Sequence, residues 1–296
     1  MLASATLLLI VAGALVTSND AGLSVPDWPT SFGSLYKIPP MVGGVKWEHG
    51  HRMFAEFIGL LIIVMAVWTQ RVEQRKWMKA LGWIALAAVV VQGILGGLTV
   101  LFFLPWAIST AHATLAQTIF CAVVAMALFT SKNWLQDSEP ITEYGLAPRT
   151  NTLTTVTAAA VWVQLILGAA FRHSGIKLLP HLIGACVVAA LICWTVIRVL
   201  THYGNVPQLR KPAQLLLALL MLQLGLGFIA YITRVQWGRD AVQPMASMVL
   251  NTVSHVAGGA LVLATSVVLA IQSRRMIPSQ APETVVNASP QKAVIA

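Results

Sequence analysis

Charge is scarce in this chain of 296 residues: Asp and Glu together number 10, Lys and Arg 19, and the four types make up 10% of it. Soluble domains carry about 25% charged residues, so with 57% hydrophobic residues and a mean hydropathy of +0.76 an ordinary soluble domain is excluded. Cysteine is scarce as well. Cys121, Cys186 and Cys193 all fall inside apolar runs, which excludes a disulfide framework and reads as three small core residues. No Cys-x-x-Cys-His attachment sequence, phosphate-binding glycine loop or dinucleotide fingerprint is present, so electrons for any redox chemistry come from another molecule. Met1 to Asn19 contains neither Lys nor Arg. A signal peptide needs a positive n-region, so this first apolar run reads as a retained helix.

Long apolar runs are what the chain has in abundance. Crossing a hydrocarbon core of about 30 Å takes roughly 20 helical residues. Eight candidate runs lie near Leu2 to Val16, Met53 to Thr69, Ala80 to Leu104, Trp106 to Phe129, Thr152 to Phe171, Leu178 to Val199, Ala213 to Thr233 and Ala246 to Ile271. The net charge of +9 is then a matter of topology, because Lys and Arg collect in cytoplasmic loops. Arg71, Arg75, Lys76 and Lys79 follow the second run, Arg198, Arg210 and Lys211 the sixth, and Arg274 and Arg275 the eighth. Both termini are therefore expected in the cytoplasm, with Asn19 to Trp47, the turn at Pro105, Arg172 to Lys177 and Arg234 to Gln243 outside. The Lys132 to Thr150 stretch, with Asp137, Glu139 and Glu143, gives this rule no support.

Four histidines, His51, His112, His181 and His255, each sit at or just inside one end of the second, fourth, sixth and eighth runs. A metal-binding side chain at membrane depth normally faces the bundle interior and has a partner there. Two facing helices that each supply an imidazole can hold one haem iron axially, so four make two pairs, all in the outer half of the membrane. The pattern also repeats. Gln92 precedes Gly96, Gln164 precedes Gly168 and Gln223 precedes Gly227 by four residues, a polar and a small residue on one helical face that suit close helix packing. The expected fold is an all-α integral membrane protein, eight transmembrane helices as two pseudo-symmetric four-helix bundles: residues 1–131, a cytoplasmic linker 132–151, residues 152–272, and a disordered cytoplasmic tail 273–296.

The stretches Gly22-Leu23-Ser24-Val25-Pro26-Asp27-Trp28-Pro29, Glu48-His49-Gly50-His51-Arg52, Ala111-His112-Ala113-Thr114, Phe171-Arg172-His173-Ser174-Gly175 with Pro180-His181, and Ser254-His255-Val256-Ala257-Gly258-Gly259 resemble the haem A synthase family across all eight runs. That resemblance implies an oxidoreductase that turns a ring methyl of haem O into the formyl group of haem A, the cofactor of cytochrome c oxidases. It implies haem b held by His181 and His255 in the C-terminal bundle. It also implies that His51 and His112 face the iron of the substrate haem in the N-terminal one. Partners on this reading are haem O, a haem O synthase, cytochrome oxidase assembly proteins and an external electron donor. Many relatives carry a cysteine pair in the first outer loop. Here the stretch reads Val25-Pro26-Asp27-Trp28-Pro29-Thr30-Ser31, so no disulfide relay exists.

Glu48 is the candidate catalytic residue. Three residues before His51, it can orient the imidazole, relay protons or stabilise a cationic intermediate, and the sequence does not choose among these. Arg52, at the substrate site, and Arg172 and Arg234, at the haem b site, lie at outer helix ends. There they can pair with haem propionates or equally snorkel to lipid headgroups. Trp47, Trp106 and Trp237 read as interface anchors. His49 and His173 read as outer-surface residues near haem edges, and His202 as a solvated loop residue. A di-haem cytochrome drawing electrons from quinol would need four histidines too, but not Glu48 beside a ligand. A haem transporter would need a path open to both faces.

Overall fold

The structure, a computed structural model, describes residues 1–136, 139–143, 145, 147–238 and 240–278. Those residues are helical throughout apart from loops, with one isolated bridge between Ser31 and Ser34. Seven helical stretches are long and apolar enough to cross a membrane: α2 (Val45–Val72), α3 (Lys76–Leu101), α4 (Trp106–Phe129), α6 (Thr150–Arg172), α7 (Leu178–Tyr203), the continuous Pro207–Gln236, and α9 (Ala246–Met276). The stretch Pro207–Gln236 comprises α8 (Pro207–Ala230) and a π-helical turn over Tyr231–Gln236. The eighth expected span is α1 (Leu2–Ser18), with 17 residues. At about 1.5 Å per residue it falls a little short of the core thickness that the others cover, so among the described residues the full-length spans number seven. A short helix, α5 (Lys132–Leu135), lies in the connection to α6. Of the tail expected over 273–296, the residues through Met276 belong to α9, and those from Ser279 onward lie outside the described residues.

Local chemistry explains the boundaries. Pro207 opens α8 at a position where its missing N–H is no loss. Pro105 precedes α4, after two left-handed residues, Phe103 and Leu104, that turn the chain sharply out of α3. Arg274 and Arg275 close α9 where the helix dipole favours cations. Helix α2 begins eight residues before the apolar run, because Glu48 in its first turn complements the dipole and is buried there.

Helices α1, α2, α3 and α4 close a ring of neighbours, as do α6, α7, α8 and α9, and the two sets meet through α1, α4, α6 and α9. The larger buried core lies mostly within the second set, with Ile192, Val199, Leu209, Leu216, Ala260 and Leu263, and reaches the junction through Ile10 of α1 and Phe120 of α4. A smaller cluster around Ile58, Ile62, Ile119 and Val123 fills the first set. Large apolar side chains such as Leu60, Trp68, Ile84, Ile183, Ile197, Met221 and Phe228 point outward and are exposed. That surface belongs in lipid. The protein is a multi-pass helical membrane protein.

Arg75, Arg198 and Arg275 gather at one end. Arg75 donates to the Phe129 carbonyl, Arg198 to the Pro148 carbonyl and Arg275 to the Gln136 carbonyl, so the ends of α2, α7 and α9 share a face with the connection between α4 and α6. Glu143 in that connection accepts from the Thr150 N–H (2.9 Å), the Thr150 hydroxyl and the Tyr203 hydroxyl (2.6 Å), capping α6 and tying it to α7. Burial raises the Glu143 pKa, but these hydrogen bonds and the Arg198 charge outweigh it, and the carboxyl sits below its ordinary value.

Candidate haem site

Helices α7 and α9 never bring Cα atoms within 8 Å of each other, although both pack on α6 and α8. Across the gap His181 and His255 face one another, ring centres 6.3 Å apart and planes at 88°. Two metal–nitrogen bonds of about 2 Å each, plus the half-widths of two five-membered rings, account for such a separation. Helices α2 and α4, which carry His51 and His112, also stand apart while both pack on α1 and α3. Nδ1 of His51, His112 and His255 is buried without a hydrogen-bond partner. A buried unpaired polar atom costs about 1–3 kcal/mol, which is offset when the ring works as a ligand. Among the described residues no group of three or more metal-ligating side chains occurs. A donor set of two imidazoles across a slot between helices therefore fits a flat macrocycle that already fills the equatorial positions of its iron.

Each imidazole has a seat on the preceding helix. A methyl added at Gly13, Gly96, Gly168 or Gly227 would lie 3.1, 3.1, 3.0 or 2.9 Å from Cε1 of His51, His112, His181 or His255 respectively. Only glycine lets the ring edge come so close. One turn earlier, Gln92, Gln164 and Gln223 donate to the backbone carbonyls of His112 (3.0 Å), His181 (2.8 Å) and His255 (3.0 Å). Gln92 also lies 3.4 Å from the ring of His112, and Gln164 3.0 Å from Nδ1 of His181. The Gln–Gly pairs thus both pack the helices and hold the histidines. The amide oxygens of Gln164 and Gln223 press against Gly184 and Gly258, each three residues past a histidine. Sequence reasoning missed Gly13, Gly184 and Gly258. The Gly in every His-bearing pair was a findable signal once the spacing from Gly96 was carried back to α1.

The outer loop before α2 is folded onto the first helix set. Buried Glu48 accepts from the Val25 N–H (2.9 Å) through Oε2 and pairs with Arg52 through Oε1 (2.6 Å). Arg52 further donates to the carbonyls of Asp27 (2.7 Å), Thr30 (3.1 Å) and Val25 (3.3 Å). Both side chains therefore clasp the loop. Glu48 makes no hydrogen bond to His51, so orientation of that imidazole is not its role here. Asp27 accepts from the Thr30 hydroxyl and from the N–H groups of Phe32 (2.7 Å) and Gly33 (2.8 Å). The indole of Trp28 covers Gly97 of α3 so closely that a Cβ there would lie 2.4 Å from the ring.

Three expectations are corrected. His49 is buried, not an outer-surface residue, because its Nδ1 bonds the Ser31 hydroxyl (3.0 Å) as the loop folds down. Only Cys121 is a core residue. Cys186 and Cys193 lie on the outward face of α7 and are exposed, since that helix buries another stripe. His173 follows the last residue of α6 and is half-buried, Trp106 covers Gly175, and Trp237 is exposed. His202 is exposed in the last turn of α7 and not in a loop. Arg172, at the end of α6, donates to the Ser18 hydroxyl (2.8 Å), joining the two helix sets. Arg234 sits in the π-helical turn, its guanidinium 3.8 Å from the Met248 sulfur. π-Turns frequently mark functional sites, and this one carries the arginine expected there.

Fold and site together define a multi-pass helical membrane protein with one imidazole pair, His181 and His255, across a slot between helices. The family described as cytochrome oxidase assembly protein matches residues 44–179. The chain is 28% identical to the haem A synthase of Shouchella clausii (strain KSM-K16) over 265 residues, 88% of this chain and 83% of that protein. It is likewise 28% identical to the haem A synthase of Symbiobacterium thermophilum over 250 residues, 75% of this chain and 80% of that one. With that of Lysinibacillus sphaericus (strain C3-41) it shares 32% over 125 residues, 41% of this chain and 40% of the relative. Over most of its length the chain is similar to haem A synthases.

Proposed function

We propose that this chain is a haem A synthase, an oxidoreductase that takes haem O and oxidises a ring methyl to the formyl group of haem A for cytochrome oxidase assembly. The observation that carries this reading is the pairing of His181 and His255 across a slot in a chain similar to haem A synthases over most of its length. The eight apolar helices, α1 included, act as two pseudo-symmetric bundles. In the C-terminal bundle His181 and His255 hold haem b, which when bound carries electrons between an external donor and the other site. Two fixed imidazoles leave that iron no open position, which suits electron transfer. In the N-terminal bundle His51 and His112 face the iron of the substrate.

Around the substrate, Glu48 is the acidic side chain proposed to act in the oxidation, lying in the same first turns of α2 as His51. Arg52 holds both Glu48 and the loop before α2, so the two side chains keep that loop against the start of the helix. Arg172 and Arg234 are the cations proposed to meet the propionates of haem b. The basic ends of α2, α7 and α9 are assigned to the cytoplasm by the positive-inside rule, which places the four histidines in the outer half of the membrane. Expression in cells that make haem O but not haem A tests the activity. Haem A in the extracted pigments is the expected outcome, and haem O alone would overturn it.

A further inference from the structure

The four imidazoles are not held alike. His112, His181 and His255 each have a glutamine one turn before the glycine seat, donating to the histidine's own backbone carbonyl. In α1 the seat is Gly13, and the residue one turn before it is Leu9. Leu9 packs into the apolar cluster around Ile58 and Ile62 and offers no donor. His51 Nδ1 is buried without a partner. The nearest carboxylate, Glu48, has its oxygens bound to Val25 and Arg52. His51 is thus positioned by packing alone, whereas its counterpart His112 is tied to α3 through Gln92. The glutamine amide reaches the ring itself at His112 (3.4 Å) and His181 (3.0 Å), and a hydrogen bond to a ligand's ring nitrogen fixes its orientation and strengthens the ligand; His51 has no such bond to its ring or its backbone carbonyl.

We propose that His51 is the releasable imidazole of the N-terminal pair and His112 the retained one, so that the open coordination position needed at the substrate haem forms on the α2 side, beneath the loop held by Glu48 and Arg52. This deepens the haem A synthase reading and rests on it. In the exchange the iron–nitrogen bond to His51 breaks, its electron pair returns to the imidazole, and the lone pair of an entering ligand takes the position. The oxidation state of the iron does not change. Leu9 is then a positioning residue by what it lacks. In the C-terminal pair Gln164 and Gln223 each hold a histidine, so that pair is expected to stay closed.

Carbon monoxide is the probe, because it binds a reduced haem only where an axial ligand lets go. Purified full-length protein is loaded with haem O, reduced, and followed by visible spectra and stopped flow. The wild type should bind carbon monoxide at one haem of two. Leu9→Gln, which supplies the missing donor, should slow that binding by about tenfold or more with unchanged haem content. His51→Ala should keep the second haem and bind the gas faster, while His112→Ala should lose that haem. Carbon monoxide binding unchanged in Leu9→Gln, or equal behaviour of His51→Ala and His112→Ala, would overturn the proposal. Should Leu9→Gln fail to fold, Gln92→Leu decides: retention of the second haem must fall severalfold, and unchanged retention overturns the asymmetry. A wild type that takes up only one haem per chain would instead remove the substrate-site reading itself.

Discussion

His181 and His255 face each other across a slot, 6.3 Å between ring centres, although the helices that carry them never touch. The separation is created by α6 and α8, which pack on both and hold them apart while Gln164 and Gln223 anchor the two histidines. A hydrophobic core left to itself would close such a gap, since dispersion and packing favour contact. Within the slot, Gly168 and Gly227 seat the two rings.

Replacing either His181 or His255 with Ala should therefore remove the low-spin bis-imidazole spectrum of the purified protein. Visible and electron paramagnetic resonance spectra check this, and an unchanged spectrum in both variants would contradict the C-terminal pair.

Gly227→Ala should perturb the same site without touching a ligand, because its methyl would lie 2.9 Å from His255 Cε1. Gly225, two residues away on α8, has nothing within 4 Å of a would-be Cβ. Gly225→Ala should be tolerated and, from helix propensity, gain up to about 1 kcal/mol. Thermal unfolding and haem content of the two variants, measured side by side, separate a seat from a spacer.

Glu48→Gln keeps the acceptor for the Val25 N–H but removes the charge opposite Arg52. Haem b content should stay near normal while haem A formation falls at least about tenfold, equivalent to roughly 1.4 kcal/mol of transition-state stabilisation. Mass spectrometry of extracted haems reads the result and would also detect a hydroxylated product stalled part-way. Wild-type haem A formation in Glu48→Gln would leave Glu48 as a loop anchor only.

Glu143 carries a pH dependence whose sign follows from its lowered pKa. The stabilisation it gives the start of α6 is complete above the ordinary carboxylate value of about 4.5 and is lost as pH falls through the lower folded value. Wild type should then melt above Glu143→Gln at pH 6, with the difference shrinking towards pH 3.5. A difference independent of pH would mean that the charged form is not what caps the helix.

A reporter fused after Arg275 should be active only as a cytoplasmic reporter. Activity on the outer side would invert the assignment of the basic loops.

Sequence periodicity, the scarcity of charge and the spacing of histidines were enough to define a multi-pass helical protein and to single out His51, His112, His181 and His255. Those signals are local: a buried apolar run needs about 20 residues wherever it lies, and an imidazole in lipid needs a partner whatever its neighbours. Helix length was less legible. The apolar stretch of α1 ends at a boundary that hydropathy cannot place to within a few residues, and α2 extends past its apolar run because Glu48 finds partners in a distant loop. Only the tertiary structure decided that Arg52 grips loop carbonyls, that His49 is buried, and that Cys186 and Cys193 face outward. Each of these depends on which face a neighbouring segment covers, and that is a property of packing between residues far apart in the chain. The difference between His51 and the other three histidines is likewise invisible from the histidines themselves, because it resides in Leu9 standing on a neighbouring helix where Gln92, Gln164 and Gln223 stand on theirs.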